Sequence, residues 1–311
     1  LARQAPLDVT NPNAASRRLY DILIRPVLPD LQAQGITTLL ISADTGLQAV
    51  PFAALHDGRR YFGETMAFSV TPTLGLTSLA DPMQTPGKAL ALGSSRFVDL
   101  APLPLVPQEL GQIAQGALSD VYLDQAFTPD VLLSKVADPA VARVHVATHA
   151  EFLAGGAQKS RIYTGTAPVP LSAFVAMRQR REGRPLDLII LSACRTALGD
   201  RDSELGFAGL ALQAGARSAI GTLWYVDDIA TSAFFVQFYR YLRQGYPKAE
   251  ALQATREAFA SGRVVLSGDR LLGPDGQVLL QDLTVSQRRR IYGGVEHPYY
   301  WTGIQLMGTP W

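Results

Sequence analysis

The segment LDLIILSAC, residues 186–194, decides the fold prediction. Residues 188–191 at its centre are apolar without interruption, which is typical of a strand that is buried on both faces of a parallel sheet. The segment ends on Cys194, the only cysteine of the chain, where the apolar run gives way to a polar loop. A cysteine kept for packing would more naturally lie inside the run, so we expect this thiol to have another role.

Strand and helix patterns alternate through most of the chain. ARVHVATHA (residues 142–150) and ARSAIGTLW (residues 216–224) are the strand candidates on either side of the opening segment. This alternation predicts an α/β fold, with a mostly parallel sheet covered by helices on both faces. The patterns are weaker near the start and are broken by prolines. We therefore predict a smaller α/β prefix over residues 1–87 and a main domain over residues 88–311.

Composition limits the classes of function. The chain has 311 residues, is 47% hydrophobic and 18% charged, and carries a net charge of +1. It can bury a sizeable core, and it lacks the broad basic stripe that binds nucleic acid. No apolar run approaches the roughly 20 residues that a membrane span needs. A single cysteine excludes a disulfide framework and a cysteine zinc cluster. The sequence opens on Leu1, and we expect it to be a piece of a longer protein.

A histidine and the cysteine stand at the carboxyl ends of two strand candidates. His149 follows VHVAT and Cys194 follows LIILSA. Catalytic groups gather beyond the carboxyl ends of parallel strands, so the two side chains meet at one edge if the strands are neighbours. A free thiol titrates near ~8.5, and an imidazole can take its proton and later protonate a leaving amine. The pair predicts nucleophilic catalysis by Cys194, with His149 as acid and base.

Simpler interpretations of these residue types stay open. A buried cysteine that packs as a small hydrophobe is common. His145 fits a packed or supporting group, and His297 precedes a proline and fits an anchor of the last strand. His56 has no partner that the sequence identifies. Two histidines at strand spacing do not supply the clustered ligands of a metal site.

The order of the two residues narrows the class of enzyme. His149 precedes Cys194 by 45 residues, whereas papain-like enzymes have the cysteine first. A nucleophile elbow would have glycine two residues to either side of the cysteine, where this chain has Ser192 and Thr196. A histidine roughly 50 residues upstream of the cysteine is the arrangement of caspases.

Several motifs together resemble the CHAT domain, a branch of the caspase-like cysteine peptidases related to separase. They are ATHAEF (147–152), LSACRTALGD (191–200), ELGFAGLALQAGARSAIGTLWYVDD (204–228), HPYYWTGIQLMG (297–308) and, near the start, VPFAALHDG (50–58). The resemblance implies a caspase-like sheet, a Cys/His dyad and endopeptidase activity on protein substrates, with no cofactor. It also implies an upstream tetratricopeptide-repeat domain or an activator protein as a partner. Neither nucleic acid nor a membrane is expected as a partner.

The resemblance further implies an oxyanion hole. The backbone N–H groups of Ala150 and Cys194 would donate to the oxyanion. Caspase-like enzymes usually have glycine directly after the histidine, and this chain has Ala150 there. The N–H remains, so the hole can form only if the turn accepts a Cβ.

Substrate selection is assigned to the segment TLWYVDDIA. Asp228, with Asp227 beside it, matches by resemblance the acidic residue that receives arginine in separase. One of the two aspartates also fits the cap of the helix that follows. Trp224 and Tyr225 would line an apolar pocket instead. Both specificities stay open at this point.

Two further functions stay open. A non-catalytic interaction module would keep the fold and lose turnover, and the alanine after the histidine favours it. A thiol acyltransferase would use the same dyad and transfer an acyl group to an acceptor other than water.

Overall fold

The computed structural model describes most of the chain. The described residues are 14–44, 47, 50–71, 73–77, 87–115, 119–151, 158–175, 180–181, 183–192, 206–224 and 227–311. Two predicted site residues, Cys194 and Tyr225, lie outside them.

Helices form where apolar residues recur at helical spacing. In chain order they are α1 Ala14–Leu23, α2 Leu28–Ala33, α3 Phe62–Thr65, α4 Val106–Ala114, α5 Pro129–Ala137, α6 Ser172–Val175, α7 Gly206–Gln213, α8 Asp228–Arg243, α9 Lys248–Ala260 and α10 Val285–Arg290. Thr128 caps α5 by accepting a hydrogen bond from the Val131 N–H, and Asp227 caps α8. No helix of the described residues is long and apolar enough to cross a membrane.

Strands form at the predicted apolar runs. In chain order they are β1 Thr38–Ser42, β2 Ala67–Thr71, β3 Lys88–Gly93, β4 Ser119–Leu123, β5 Val141–Ala147, β6 Ala150–Glu151, β7 Arg161–Tyr163, β8 Pro168–Pro170, β9 Leu188–Ser192, β10 Ser218–Thr222, β11 Val265–Ser267, β12 Arg270–Leu272, β13 Val278–Leu280 and β14 Ile304–Gly308.

The central sheet has eight strands in the order β1-β2-β14-β10-β9-β5-β3-β4. Strands β10, β9, β5, β3 and β4 run parallel to one another, so their carboxyl ends share one edge. Strand β14 is antiparallel to β10, and β2 and β1 run parallel to β14. Two small antiparallel sheets, β6-β7-β8 and β11-β12-β13, lie outside it. The predicted mostly parallel α/β sheet is confirmed.

Two separate apolar cores cover the two faces of the sheet. Leu188 and Ile190 of β9 pack into one core with the aromatic side chains of α8 and α9. Ile189 and Leu191 pack into the other core with apolar side chains of α5, α6 and α7. Alternate residues of a strand point to opposite faces, so both faces of β9 are buried. This explains the uninterrupted apolar run of the sequence.

The first two strands extend the same sheet. Strand β2 pairs with β14, and β1 pairs with β2. A small core around Phe52, Phe62 and Phe68 packs beside them. The predicted boundary falls between Gly87 and Lys88, directly after residues 78–86, which lie outside the described residues. The division into residues 1–87 and 88–311 stays a prediction.

Candidate active site

The site begins where β5 and β9 end side by side. The two strands are parallel neighbours, and Ala147 of β5 is the register partner of Ser192 of β9. His149 lies two residues after Ala147, and Cys194 lies two residues after Ser192 in the sequence. Cys194 lies outside the described residues, so the geometry of the site is that of the histidine side.

The imidazole of His149 is held by its surroundings. Its Nε2 lies 2.8 Å from the main-chain oxygen of Ala101, and its ring centroid lies 4.6 Å from that of Phe97. A carbonyl oxygen only accepts, so this hydrogen bond requires the proton on Nε2. Nδ1 is then the nitrogen that can receive a proton, because the bond made by one ring nitrogen sets the role of the other. A third group that orients the base is a general feature of activated nucleophiles.

The backbone at Ala150 accommodates its side chain. Among the described residues, the non-glycine residues with positive φ are Asp124 and Asp282, so Ala150 has an ordinary backbone conformation. Ala150 lies opposite Ile162 of β7, and the His149 oxygen beside it accepts from the Tyr163 N–H. Antiparallel ladders alternate, so the N–H of Ala150 is directed away from β7. The methyl group that distinguishes this chain from glycine-containing enzymes therefore causes no backbone strain.

The residues after β10 lie at the same sheet edge as His149, because β10 is parallel to β9. Trp224 donates from Nε1 to the main-chain oxygen of Tyr299 at 3.0 Å. Its ring also packs against Gly303, where a Cβ would overlap the indole. These two contacts hold the indole in one orientation.

The two aspartates of the predicted pocket share an internal partner. Oδ1 of Asp227 accepts from the N–H groups of Ile229 and Ala230 at 2.9 and 3.3 Å, so Asp227 is the cap of α8. Its Oδ2 accepts from Nε of Arg290 at 2.8 Å, and Nη2 of Arg290 contacts both Asp227 and Asp228. Partial burial lowers the pKa of Arg290, but the two carboxylates outweigh it and raise that pKa above its ordinary value. Arg290 therefore remains a cation and neutralises much of this acidic pair.

A buried polar cluster lies beneath the sheet edge. Glu109 of α4 bonds to His145 Nε2 at 2.8 Å and accepts from the Ser232 hydroxyl of α8 at 2.7 Å. The imidazole of His145 also packs edge-on against Phe235 and Tyr239. His145 is thus a packed group, distinct from the half-buried His149.

The remaining histidines serve local structure. His56 Nδ1 accepts from the Gly58 N–H at 3.0 Å, and its ring packs edge-on against Tyr61. His297 Nδ1 accepts from the Tyr299 N–H at 3.1 Å, at the turn that precedes β14. Within the described ranges, no group of three or more histidine, cysteine, aspartate or glutamate side chains could hold a metal ion.

Three contributors to the site were not predicted from the sequence. Ala101 acts through a main-chain oxygen, which leaves no side-chain signal. Phe97 follows β3, and the rule that sites form beyond strand carboxyl ends could have drawn attention to its loop. Arg290 is more than 60 residues away from its aspartates in the chain. A short arginine run is ordinarily a solvated surface feature, so only the tertiary structure reveals its partners.

Comparisons with known proteins place the chain in context. A family model described as the CHAT domain matches residues 13–309. Separase from Saccharomyces cerevisiae, solved in complex with securin, is similar at 12% identity and a TM-score of 0.49, over 87% of this chain and 16% of the separase chain. Gingipain R, an Arg-specific cysteine proteinase, is similar at 12% identity and a TM-score of 0.43, over 72% of this chain and 46% of its own. The chain thus spans less than half of either structure's chain. No curated protein sequence matches it.

Proposed function

The chain belongs to the CHAT domain family, and from this premise we propose that it is a cysteine endopeptidase that cleaves protein substrates. Cys194 is the nucleophile and His149 is the general acid and base. The observation that carries the proposal is the register of β5 and β9, in which Ala147 and Ser192 are partners. The two strands are parallel, so residues that lie the same number of positions after a paired residue emerge at the same edge of the sheet. The orientation of His149 by Ala101 supports the same assignment.

The proposed reaction proceeds in two stages. His149 takes the thiol proton on Nδ1 as the Cys194 sulfur bonds to the scissile carbonyl carbon. The N–H groups of Ala150 and Cys194 stabilise the oxyanion. His149 then gives the proton to the leaving amine, the C–N bond breaks, and a thioester remains. Water attacks the thioester, His149 accepts its proton and returns it to the sulfur, and the carboxylic acid product leaves. These steps use the chain's own residues and require no cofactor.

We assign the pocket for the residue before the cut to the end of β10. Trp224, Tyr225, Asp227 and Asp228 would line it. Arg290 already pairs with both carboxylates, so an incoming arginine would have to displace a cation held by charge-assisted hydrogen bonds. This favours an apolar residue against the indole of Trp224 over a basic one.

Cleavage of a diverse peptide library tests the function. We expect wild type to cut peptides at defined sites, and Cys194→Ala and His149→Ala to lose at least ~10³-fold of that activity. Equal unfolding midpoints of the three proteins would exclude loss of folding as the cause. A folded wild-type protein with no cysteine-dependent cleavage would contradict the proposal.

The same assay separates the two other functions. An interaction module would bind partner proteins equally well before and after Cys194→Ala, with no cleavage by either. An acyltransferase would yield products that gain an acyl group, whereas hydrolysis adds the mass of water. Ala150 no longer supports the inactive module, because its backbone carries no strain.

A further inference from the structure

A groove of about 400 Å³ lies between the loop of residues 96–100 and the hairpin of residues 163–168. The loop follows β3, and the hairpin joins β7 to β8. Phe97, Leu100 and Pro168 provide apolar surface. Arg96 and Asp99 carry opposite charges, so the groove has no net charge from these two residues.

The segments that form the two walls of the groove contact His149. On the loop side, Phe97 packs on the imidazole and the Ala101 oxygen accepts from Nε2. On the hairpin side, the Tyr163 N–H donates to the His149 oxygen at 3.0 Å. The Thr148 hydroxyl also donates to the Tyr163 oxygen at 2.5 Å. A ligand in the groove therefore contacts Phe97, the residue that packs on the imidazole of His149.

Asp124 contacts both walls of the groove and acts as a brace between them. The Asp124 carboxylate accepts from the Ser95 N–H at 2.7 Å and from the Ser95 hydroxyl, which fixes the base of the loop. On the other wall, Gly165 lies so close to Asp124 that a Cβ there would overlap the Asp124 oxygen. Asp124 itself has a φ of 50°, which is uncommon for a residue with a side chain. The groove is thus built into the fold before any ligand arrives.

The order of strands gives the groove a direction relative to the cut. Along the shared edge, β10 is followed by β9, β5 and β3. The pocket assigned to the residue before the cut lies at β10, the nucleophile at β9 and the acid at β5. The acid must protonate the leaving amine, which belongs to the residue after the cut. The chain after the cut therefore starts at β5 and continues toward β3, where the groove lies.

We propose that this groove binds the substrate segment that follows the scissile bond, with an apolar first residue seated against Phe97, Leu100 and Pro168. The inference rests on the proposed peptidase function for its direction. The groove itself, its walls and its brace belong to the described residues alone.

A binding experiment tests the groove without turnover. Peptides that begin with the photoreactive apolar amino acid photo-leucine are irradiated with the Cys194→Ala protein, and crosslinked residues are mapped by mass spectrometry. We expect crosslinks within residues 96–100 and 163–168. Val98 is 99% exposed at the groove and Val265 is 44% exposed on β11, so both accept aspartate without loss of folding. In the Cys194→Ala background, Val98→Asp should lower the crosslink yield at least ~5-fold, and Val265→Asp should leave it unchanged.

A cleavage experiment tests the direction. Substrates that differ only in the residue after the cut are compared in wild type. A pocket that accepts an apolar side chain should favour leucine over aspartate by at least ~10-fold in kcat/KM. Crosslinks outside the groove, or equal yields for the two valine variants, would overturn the groove as a binding site. Two results would overturn the assignment of the groove to the segment after the cut, even if crosslinks fall within the groove. One is equal cleavage of substrates with leucine and aspartate after the cut, and the other is no cleavage at all. Only absent cysteine-dependent cleavage would overturn the peptidase function.

Discussion

Glu109 is a buried carboxylate that holds two buried polar partners. Its side chain is 2% exposed and holds His145 and Ser232 at once, which links α4, β5 and α8. Glu109→Ala would leave a buried imidazole and a buried hydroxyl without their partner. We predict a loss of about 3 kcal/mol in the free energy of unfolding, measured by urea denaturation.

Glu257→Ala is the matched control for this prediction. Glu257 is also helical, but its ion pair with Arg263 is partly exposed to solvent. Its loss should cost about 0–1 kcal/mol. Equal costs for the two glutamates would show that the Glu109 cluster contributes nothing special to stability.

The role of a single residue could be predicted from the sequence where its side chain makes the contact. The sequence predicts a cap at Thr128 or Asp130 and another at Asp227 or Asp228, because hydroxyls and carboxylates satisfy the free N–H groups of a helix start. Thr128 and Asp227 are the residues that cap the two helices. It does not predict the Ala101 contact, because every residue has a carbonyl and only the folded loop brings this one to His149.

At the scale of elements, an ion pair joins the starts of β9 and α9. Lys248 Nζ lies 2.7 Å from Asp187 Oδ1, and Arg143 Nε lies 3.2 Å from Asp187 Oδ2. Burial raises the pKa of Asp187, but the two cations outweigh it and hold that pKa below its ordinary value of 3.8. Burial also lowers the pKa of Lys248, despite the same carboxylate. The change in stability at acid pH therefore measures the contribution of Asp187.

Asp187→Asn tests this contact. The folded-state pKa of Asp187 lies below the unfolded one, so its contribution is present above about pH 4 and is lost as the pH falls through the folded-state value. We predict a loss of about 3 kcal/mol in the free energy of unfolding at pH 7, because the buried Lys248 loses its carboxylate partner and keeps its hydrogen bond to the Asp187 main-chain oxygen. As the pH falls, Asp187→Asn should lose less further stability than wild type does. Asp269→Asn, at an exposed turn, is the control and should change the free energy of unfolding at pH 7 by no more than about 0.5 kcal/mol. If stability fell with acid pH in Asp187→Asn as it does in wild type, the Asp187 carboxylate would not be the group responsible.

Arg290 connects α10 to the start of α8 and, in the proposed function, influences which residue is accepted before the cut. With Arg290 in place, wild type should cut after apolar residues in preference to arginine. Arg290→Ala removes the internal partner of Asp227 and Asp228, so the relative rate on arginine substrates should rise at least ~10-fold. Rates on peptides that differ only before the cut measure this.

Arg289→Ala is the control, because Arg289 is the exposed neighbour of Arg290 on the same helix. Adding Asp228→Ala to Arg290→Ala should abolish the gain. A wild-type preference for arginine, or the same ranking in both arginine variants, would exclude Arg290 from specificity.

Elements were largely predictable, and their pairing was predictable only in part. Periodicity predicts β5, β9, β10 and α8, because buried strands and amphipathic helices have distinct apolar patterns. It does not predict that β14 lies between β2 and β10. That arrangement joins segments more than 200 residues apart, which no local pattern encodes.

Across the whole molecule, the proposed function is arranged along one sheet edge. Beyond β10, β9, β5 and β3 lie, in that order, the proposed specificity pocket, the proposed nucleophile, His149 and the groove. The CHAT resemblance seen in the sequence is confirmed by the family match over residues 13–309. The dyad and its activity stay predictions, since the cysteine half lies outside the described residues.

The single cysteine allows a direct test of whether Cys194 is an activated nucleophile. Folded wild type is treated with peptidyl acyloxymethylketones, which bond to an activated thiolate, and intact mass is recorded. We predict that wild type gains one inhibitor moiety, that Cys194→Ala gains none, and that His149→Ala reacts at least ~10²-fold more slowly. A wild-type protein that stays unlabelled with every peptide sequence, or a Cys194→Ala protein that gains the same mass, would contradict the account.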